Sequence, residues 1–121
     1  MIVVDEDKNL LRISVHGRLT LEDFKELEQN ITDELKEYPR VDLLVDLGNM
    51  SGFSIDAAME DIRFNRAHAR DFRRIAVVTH DQWLTWLSWL SGQFTEADVQ
   101  AFPDEATAQA WLSESGTARP D

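Results

Sequence analysis

Two short apolar runs limit most strongly what this chain can fold into: VDLLVDL at residues 41–47 and RIAVVT at residues 74–79. Each is rich in β-branched residues and apolar along nearly its whole length, as a strand covered on both faces must be. Between them lie the glycine-bearing stretch GNMSGFS and a segment with helical character from about Asp56 to Asp71. Two buried strands joined through a helix predict a parallel pair inside an α/β layer structure.

The flanking segments extend that pattern. Ile2 to Val4 and Leu10 to His16 read as strands joined by the turn Asp5 to Asn9. In the second, Leu11, Ile13 and Val15 alternate with Arg12, Ser14 and His16, the period of a half-buried strand. An antiparallel hairpin is expected, ended by Gly17. Thr20 opens a first helix, and Asp23 completes a capping box. Leu21, Phe24, Leu27, Ile31, Leu35 and Tyr38 recur at helical spacing until Pro39. The spacing predicts packing through Leu21, Phe24, Leu27, Ile31 and Leu35, with Glu22, Glu26 and Glu34 in water. The segment DQWLTWLSWLSGQF, residues 81–94, reads as a third helix, ADVQAF at 97–102 as a short strand, and Pro103 to Leu112 as a last helix. The expected fold class is a single α/β domain over residues 1–113, with a central mixed sheet of about five strands flanked by about four helices. A disordered tail is expected over 114–121.

Composition narrows the function classes. With 43% hydrophobic and 29% charged residues the chain reads as globular, and 121 residues suffice for a core. It has no cysteine, so thiolate chemistry, disulfides and cysteine metal sites are excluded. The net charge of −11 repels phosphate backbones, which argues against nucleic acid as a partner. No apolar run is long enough to span a bilayer, and MIVVDEDKN carries acids where a signal peptide would be basic. A cytoplasmic location is expected.

The order of these pieces resembles a known family. LLVDL is followed by a glycine-bearing loop and a long helix ending in DFRRIAVV. Asp81 and Trp83 come next, and the chain closes on ADVQAFPDEATAQAWL. This arrangement looks like the bacterial SpoIIAA-like family, whose fold is similar to the STAS domain of sulfate transporters and anti-sigma factor antagonists; a relation to lipid-binding CRAL-TRIO domains has also been proposed. The resemblance covers about residues 1–113 and implies a mixed sheet flanked by helices. Anti-sigma antagonists carry a phosphorylatable serine at the start of the helix after the VDL-type strand. Matching LLVDLGNMSGFSIDAAM to that pattern puts Ile55 and Asp56 where the two serines of the motif would fall. Ser51 and Ser54 are near but out of register, so phosphorylation control is not expected here.

Three groups of residues stand out as candidate sites. The first lies where the two buried strands end: Asp46, Ser51, Ser54 and Asp56 after one, Thr79, His80 and Asp81 after the other. Ligands of open α/β sheets bind at this edge, and a helix N-terminus there favours an anion. The simpler reading is that Ser54 or Asp56 caps one helix and Asp81 the next. Ser51, His80 and Asp46 can be written as a catalytic set, but no G-x-S-x-G elbow, no metal-ligand histidine spacing and no glycine-rich phosphate loop is present. No enzymatic activity, no cofactor and no metal are expected.

The second group is Arg63, Arg66 and Arg70, spaced to share a helix face. They form either a cationic patch for a phosphate, a lipid headgroup or an acidic partner, or a solvated face near a helix C-terminus. The third is the Trp-rich segment. At about 100° per residue, Trp83, Leu87, Leu90 and Phe94 fall on one stripe with Trp86 at its edge, while Trp89 lies off it. The stripe suits core packing, and Trp86 with Trp89 suits a partner interface or a lid over an apolar ligand.

The leading functional reading from sequence is a non-enzymatic binding or regulatory module for an apolar, lipid-like ligand or a protein partner. It would act through Trp83, Trp86, Trp89, Leu90, Phe94, His80 and Asp81. The alternative is an anti-sigma-antagonist-type switch acting through residues 48–56. A small hydrolase is the least favoured. A homodimer and peripheral membrane contact stay open; an integral membrane position does not.

Overall fold

The computed structural model describes residues 1–68, 70–80 and 98–114, with only the backbone of Ile55, Ala58 and Asn65. Five strands form one sheet in the order β1 (Ile2–Asp7), β2 (Leu10–Leu19), β3 (Val41–Phe53), β4 (Phe72–Val78), β5 (Asp98–Phe102). β1 pairs antiparallel with β2, and every other pairing is parallel. Three helices are described: α1 (Leu21–Leu35), α2 (Ile55–Ala67) and α3 (Glu105–Ser113). The expected Trp-rich helix lies outside the described residues, as does most of the expected disordered tail.

The expected hairpin forms, but its turn is tighter than expected: Asp5, Glu6 and Asp7 belong to β1 and pair with Arg12, Leu11 and Leu10, and Lys8 closes the turn with φ at 57°. The capping box also forms. Asp23 N donates to Thr20 Oγ1 and Thr20 N to Asp23 Oδ2, both at 3.2 Å. Phe24, Leu27 and Ile31 of α1 are buried with Leu11, Ile13 and Val15 of β2, Leu43 of β3, Phe64 of α2 and Ile75 and Val77 of β4. Leu35 packs at the margin of this cluster and Leu21 is half-buried.

On the other face α3 covers a smaller cluster in which Ala108 and Leu112 pack on Leu44, Ala76 and Val78. Alternation along β3 and β4 explains the split. Leu43, Ile75 and Val77 face the α1–α2 layer; Leu44, Ala76 and Val78 face α3. Residues 41–44 of β3 and 75–78 of β4 are buried on both faces, as their apolar runs required.

Four further expectations are corrected. Gly17 does not end β2, which runs on to Leu19 through two register shifts. Gly17 takes φ at 74°, a conformation open to glycine at little cost, and so lets the strand kink rather than stop. The stretch GNMSGFS is not a free loop, because β3 continues to Phe53 and pairs with that second half of β2. Turn-forming residues extend here because β2 supplies ladder partners for their backbone.

α2 ends at Ala67 rather than near Asp71, with His68 as its C-cap. His68 Nδ1 and Asp71 Oδ2 lie 2.6 Å apart, closing the turn that leads into β4 at Phe72. Finally, Glu34 is not in water; it is 4% exposed. It lies three residues beyond Ile31 and seven beyond Leu27, so helical geometry places it on the buried stripe despite its charge.

Candidate functional site

The carboxyl edge of the parallel strands gathers much of the first candidate group. Asp46 is half-buried near the end of β3's pairing with β4, and its Oδ1 accepts from Gly48 N at 2.9 Å. A Cβ at position 48 would sit 3.1 Å from that same oxygen, so glycine permits the close approach. Ser51 is exposed on the part of β3 that, among the described residues, pairs with β2 alone.

Ser54 is the N-cap of α2. Its Oγ accepts from Ala57 N at 3.3 Å, and Asp56 Oδ1 accepts from the same N–H at 2.9 Å. Of the two residues read as a possible cap, Ser54 is the N-cap, and Asp56 shares its bond from within the first turn. At the end of β4, Thr79 is buried and its N–H donates to Phe102 O at 3.0 Å, while His80 is exposed. Asp104 caps α3 at this edge, its Oδ1 accepting from Thr107 N at 2.7 Å. The bonds to Thr107 hold the Asp104 carboxyl below the usual carboxylate range, and the nearby His80 adds to this.

Asp46, Ser51 and His80 are not assembled into a catalytic relay: among the described residues no hydrogen bond joins them, and Asp46 is taken up by its own turn. No group of three or more metal-ligating side chains occurs among the described residues. Asp81, Trp83, Trp86, Trp89, Leu90 and Phe94 lie outside the described residues.

The basic patch is only partly built as expected. Arg63 and Arg66 are exposed on α2, but Arg70 falls in the turn beyond it. Arg63 is bound to Glu60 through two contacts, Nε to Oε1 at 2.9 Å and Nη2 to Oε2. That bond, with Glu60's charge, raises the already high Arg63 guanidinium pKa.

One feature escaped the sequence reading. Asp56, Met59, Arg63 and Arg66 are all exposed and fall within one stripe of α2 at helical spacing. Met59 is 68% exposed, and Met1 and Val3 are the other large apolar side chains so exposed among the described residues. The signal was available: Met59 lies three residues after Asp56 and four before Arg63, on the polar side of the helix. This stripe joins the switch-loop candidates at the α2 N-terminus to what remains of the basic patch.

The other notable basic residues prove structural. Arg73 pairs with Asp42 and donates to Leu112 O at 2.8 Å. Arg74 is 2% exposed, donates to Trp111 O at 2.6 Å and lies 4.8 Å from the Trp111 ring centroid. Together they hold the C-terminal carbonyls of α3, where cations are favoured. Arg12 reaches Glu105 Oε1 at 2.9 Å near the other end of that helix. These contacts account for the DFRR segment without a ligand. No described helix is long and apolar enough to cross a membrane.

The fold has solved counterparts. An uncharacterized protein with a SpoIIAA-like fold from Shewanella loihica PV-4 superposes with a TM-score of 0.76 at 24% identity, over 93% of this chain and 92% of that one. The anti-sigma factor antagonist SpoIIAA in its unphosphorylated form superposes with a TM-score of 0.62 at 10% identity, over 94% of this chain and all of the other. At these identities the likeness is one of fold. No curated protein matches the sequence. The sequence profile of the SpoIIAA-like family matches residues 10–113, nearly all of the sheet and every described helix, and the chain belongs to that family.

Proposed function

We propose that this chain is a non-enzymatic regulatory module that binds a protein partner along the exposed stripe of α2, from Asp56 through Met59 to Arg66. The observation that carries this reading is Met59, a large apolar side chain left in water on a helix whose other face is buried in the core. An exposed thioether flanked by charges suits the adaptable centre of a partner contact. The fold shared with an anti-sigma factor antagonist supports a protein partner over a small substrate. The α2 N-terminus differs from a phosphorylation switch. Its first residue is Ile55, and Asp56 supplies a permanent charge where a phosphate would be transient.

The sequence-based reading through Trp86 and Trp89 concerns residues outside the described set, and an apolar ligand held there is the competing outcome. A photo-crosslinking residue at position 59, compared with one at exposed Glu37 beyond α1, tests the proposal. A partner captured at 59 and lost in Met59→Asp protein is the expected result. Equal capture at both positions overturns it. Native mass spectrometry showing a stoichiometric retained lipid, with no position-specific crosslink, would shift the reading to the apolar-ligand alternative.

A further inference from the structure

Two carboxylates meet between α1 and α2 with one guanidinium between them. Glu28 of α1 and Glu60 of α2 have side chains only 19% and 14% exposed. Arg63 is bound to Glu60 and lies 4.0 Å from Glu28 Oε2. Glu28 Oε1 is buried and has no hydrogen-bond partner. Two carboxylates are both acceptors, so Glu28 and Glu60 can bond to each other only if one carries a proton.

Among the described residues the surroundings offer little other compensation. Lys25 is the remaining charge acting on the pair from α1, and Arg63 acts from α2. Beneath the two helices, β2 and β3 present Leu11, Ile13, Val15 and Leu43, all apolar. Phe24 and Phe64 meet edge to face at 6.1 Å in the same helix–helix contact.

We propose that Glu28 and Glu60 form a proton-sharing latch that holds α1 against α2 in mild acid and loosens once the shared proton leaves. Burial, the hydrogen bond to Glu60 and then that group's charge push the Glu28 carboxyl up to about 7. Arg63's hydrogen bond, followed by that from Glu28, lowers Glu60 to about 2. The proton therefore resides on Glu28 and is donated to Glu60. Glu28 binds its proton more tightly folded than unfolded, so its stabilising contribution is complete below about pH 4.5 and is lost as pH rises toward 7. Above neutrality two adjacent anions share Arg63, and the α1–α2 contact carries a like-charge repulsion. The device does not depend on what binds the Met59 stripe, although it acts on the helix that carries it.

The test is a carboxyl-carbon NMR titration of the wild-type protein, beside melting curves of wild type and Glu28→Gln from about pH 5 to pH 8. The Glu28 signal is expected to titrate near neutrality, well apart from exposed glutamates. Glu28→Gln keeps a donor toward Glu60 with no proton to lose. Wild type should therefore lose about 4 °C more than the variant over that range. Using the difference between the two proteins removes the contribution of Glu34, which titrates in the same sense. Amide exchange in α1 and α2 should quicken several-fold with pH, beyond its intrinsic rise, in wild type alone. A Glu28 carboxyl titrating in the ordinary carboxylate range, or identical pH slopes in the two proteins, would overturn the latch. If Glu28→Gln fails to fold, the wild-type titration decides by itself.

Discussion

Arg73 and Asp42 meet in a two-point ion pair where β3 and β4 slip register. Nε lies 3.0 Å from Oδ1 and Nη2 lies 2.7 Å from Oδ2. Val41 pairs with Phe72 but Leu43 with Ile75, so Arg73 and Arg74 both stand opposite Asp42. The slip lets consecutive arginines reach α3. Asp42 is a buried charge beside Val41, Leu43 and Leu44, and this pairing satisfies it.

Removing the cation should therefore leave a buried anion without a partner. Arg73→Met is expected to cost about 3 kcal/mol, and Asp42→Asn less. A double-mutant cycle read by urea denaturation should show coupling of about 1–3 kcal/mol. Additive losses would mean that Arg73 acts mainly through the α3 carbonyls.

Phe24 is 4% exposed and anchors α1 on the sheet beside Phe64. Phe24→Ala should destabilise the domain by about 3–5 kcal/mol in chemical denaturation, from lost burial and the cavity left behind. A loss under about 1 kcal/mol would show that α1 contributes little to the core.

Glu34 supplies a test of opposite sign. Burial, followed by the charges of Glu6 and Glu37, raises its carboxyl above the ordinary value, and Oε2 is buried without a partner. A raised folded-state value means that stability is lost as pH climbs from the ordinary glutamate range through the folded one. Glu34→Gln should raise the melting temperature at pH 7, and the gain should shrink as pH falls toward about 4.5 and be absent below it. A variant less stable than wild type at neutral pH would show that the charge is compensated.

Ser54 caps α2, so Ser54→Ala should cost about 1 kcal/mol, softened because Asp56 accepts from the same N–H. No regulatory phosphate is expected on Ser51 or Ser54. Mass spectrometry of the protein isolated from cells checks this. Stoichiometric phosphate on either serine would promote the switch reading.

Much of this architecture was legible because its signals are local. The apolar runs around Leu44 and Ala76 needed cover on both faces, whatever supplied it. The alternation of Leu11, Ile13 and Val15 chose the buried side of β2, and Thr20 with Asp23 marked the start of α1 three residues apart. The candidate site was less legible. Ser54 and Asp56 could be read as caps, but Met59 looked like an ordinary apolar residue until the orientation of α2 placed it in water.

What the sequence alone determined is the order of the described strands and helices, since a strand or helix period is written within a few consecutive residues. Tertiary structure decided the rest. Gly48 to Gly52 joined a strand because the second half of β2 lay alongside with unpaired backbone groups. Glu34 went inside because the stripe set by Leu27 and Ile31 left it no other side. Arg73 and Arg74 became clamps on α3 because a register slip pointed them together toward carbonyls 37 to 39 residues away. In each case the deciding partner lies on another element, and no local pattern encodes which distant backbone or charge will arrive there.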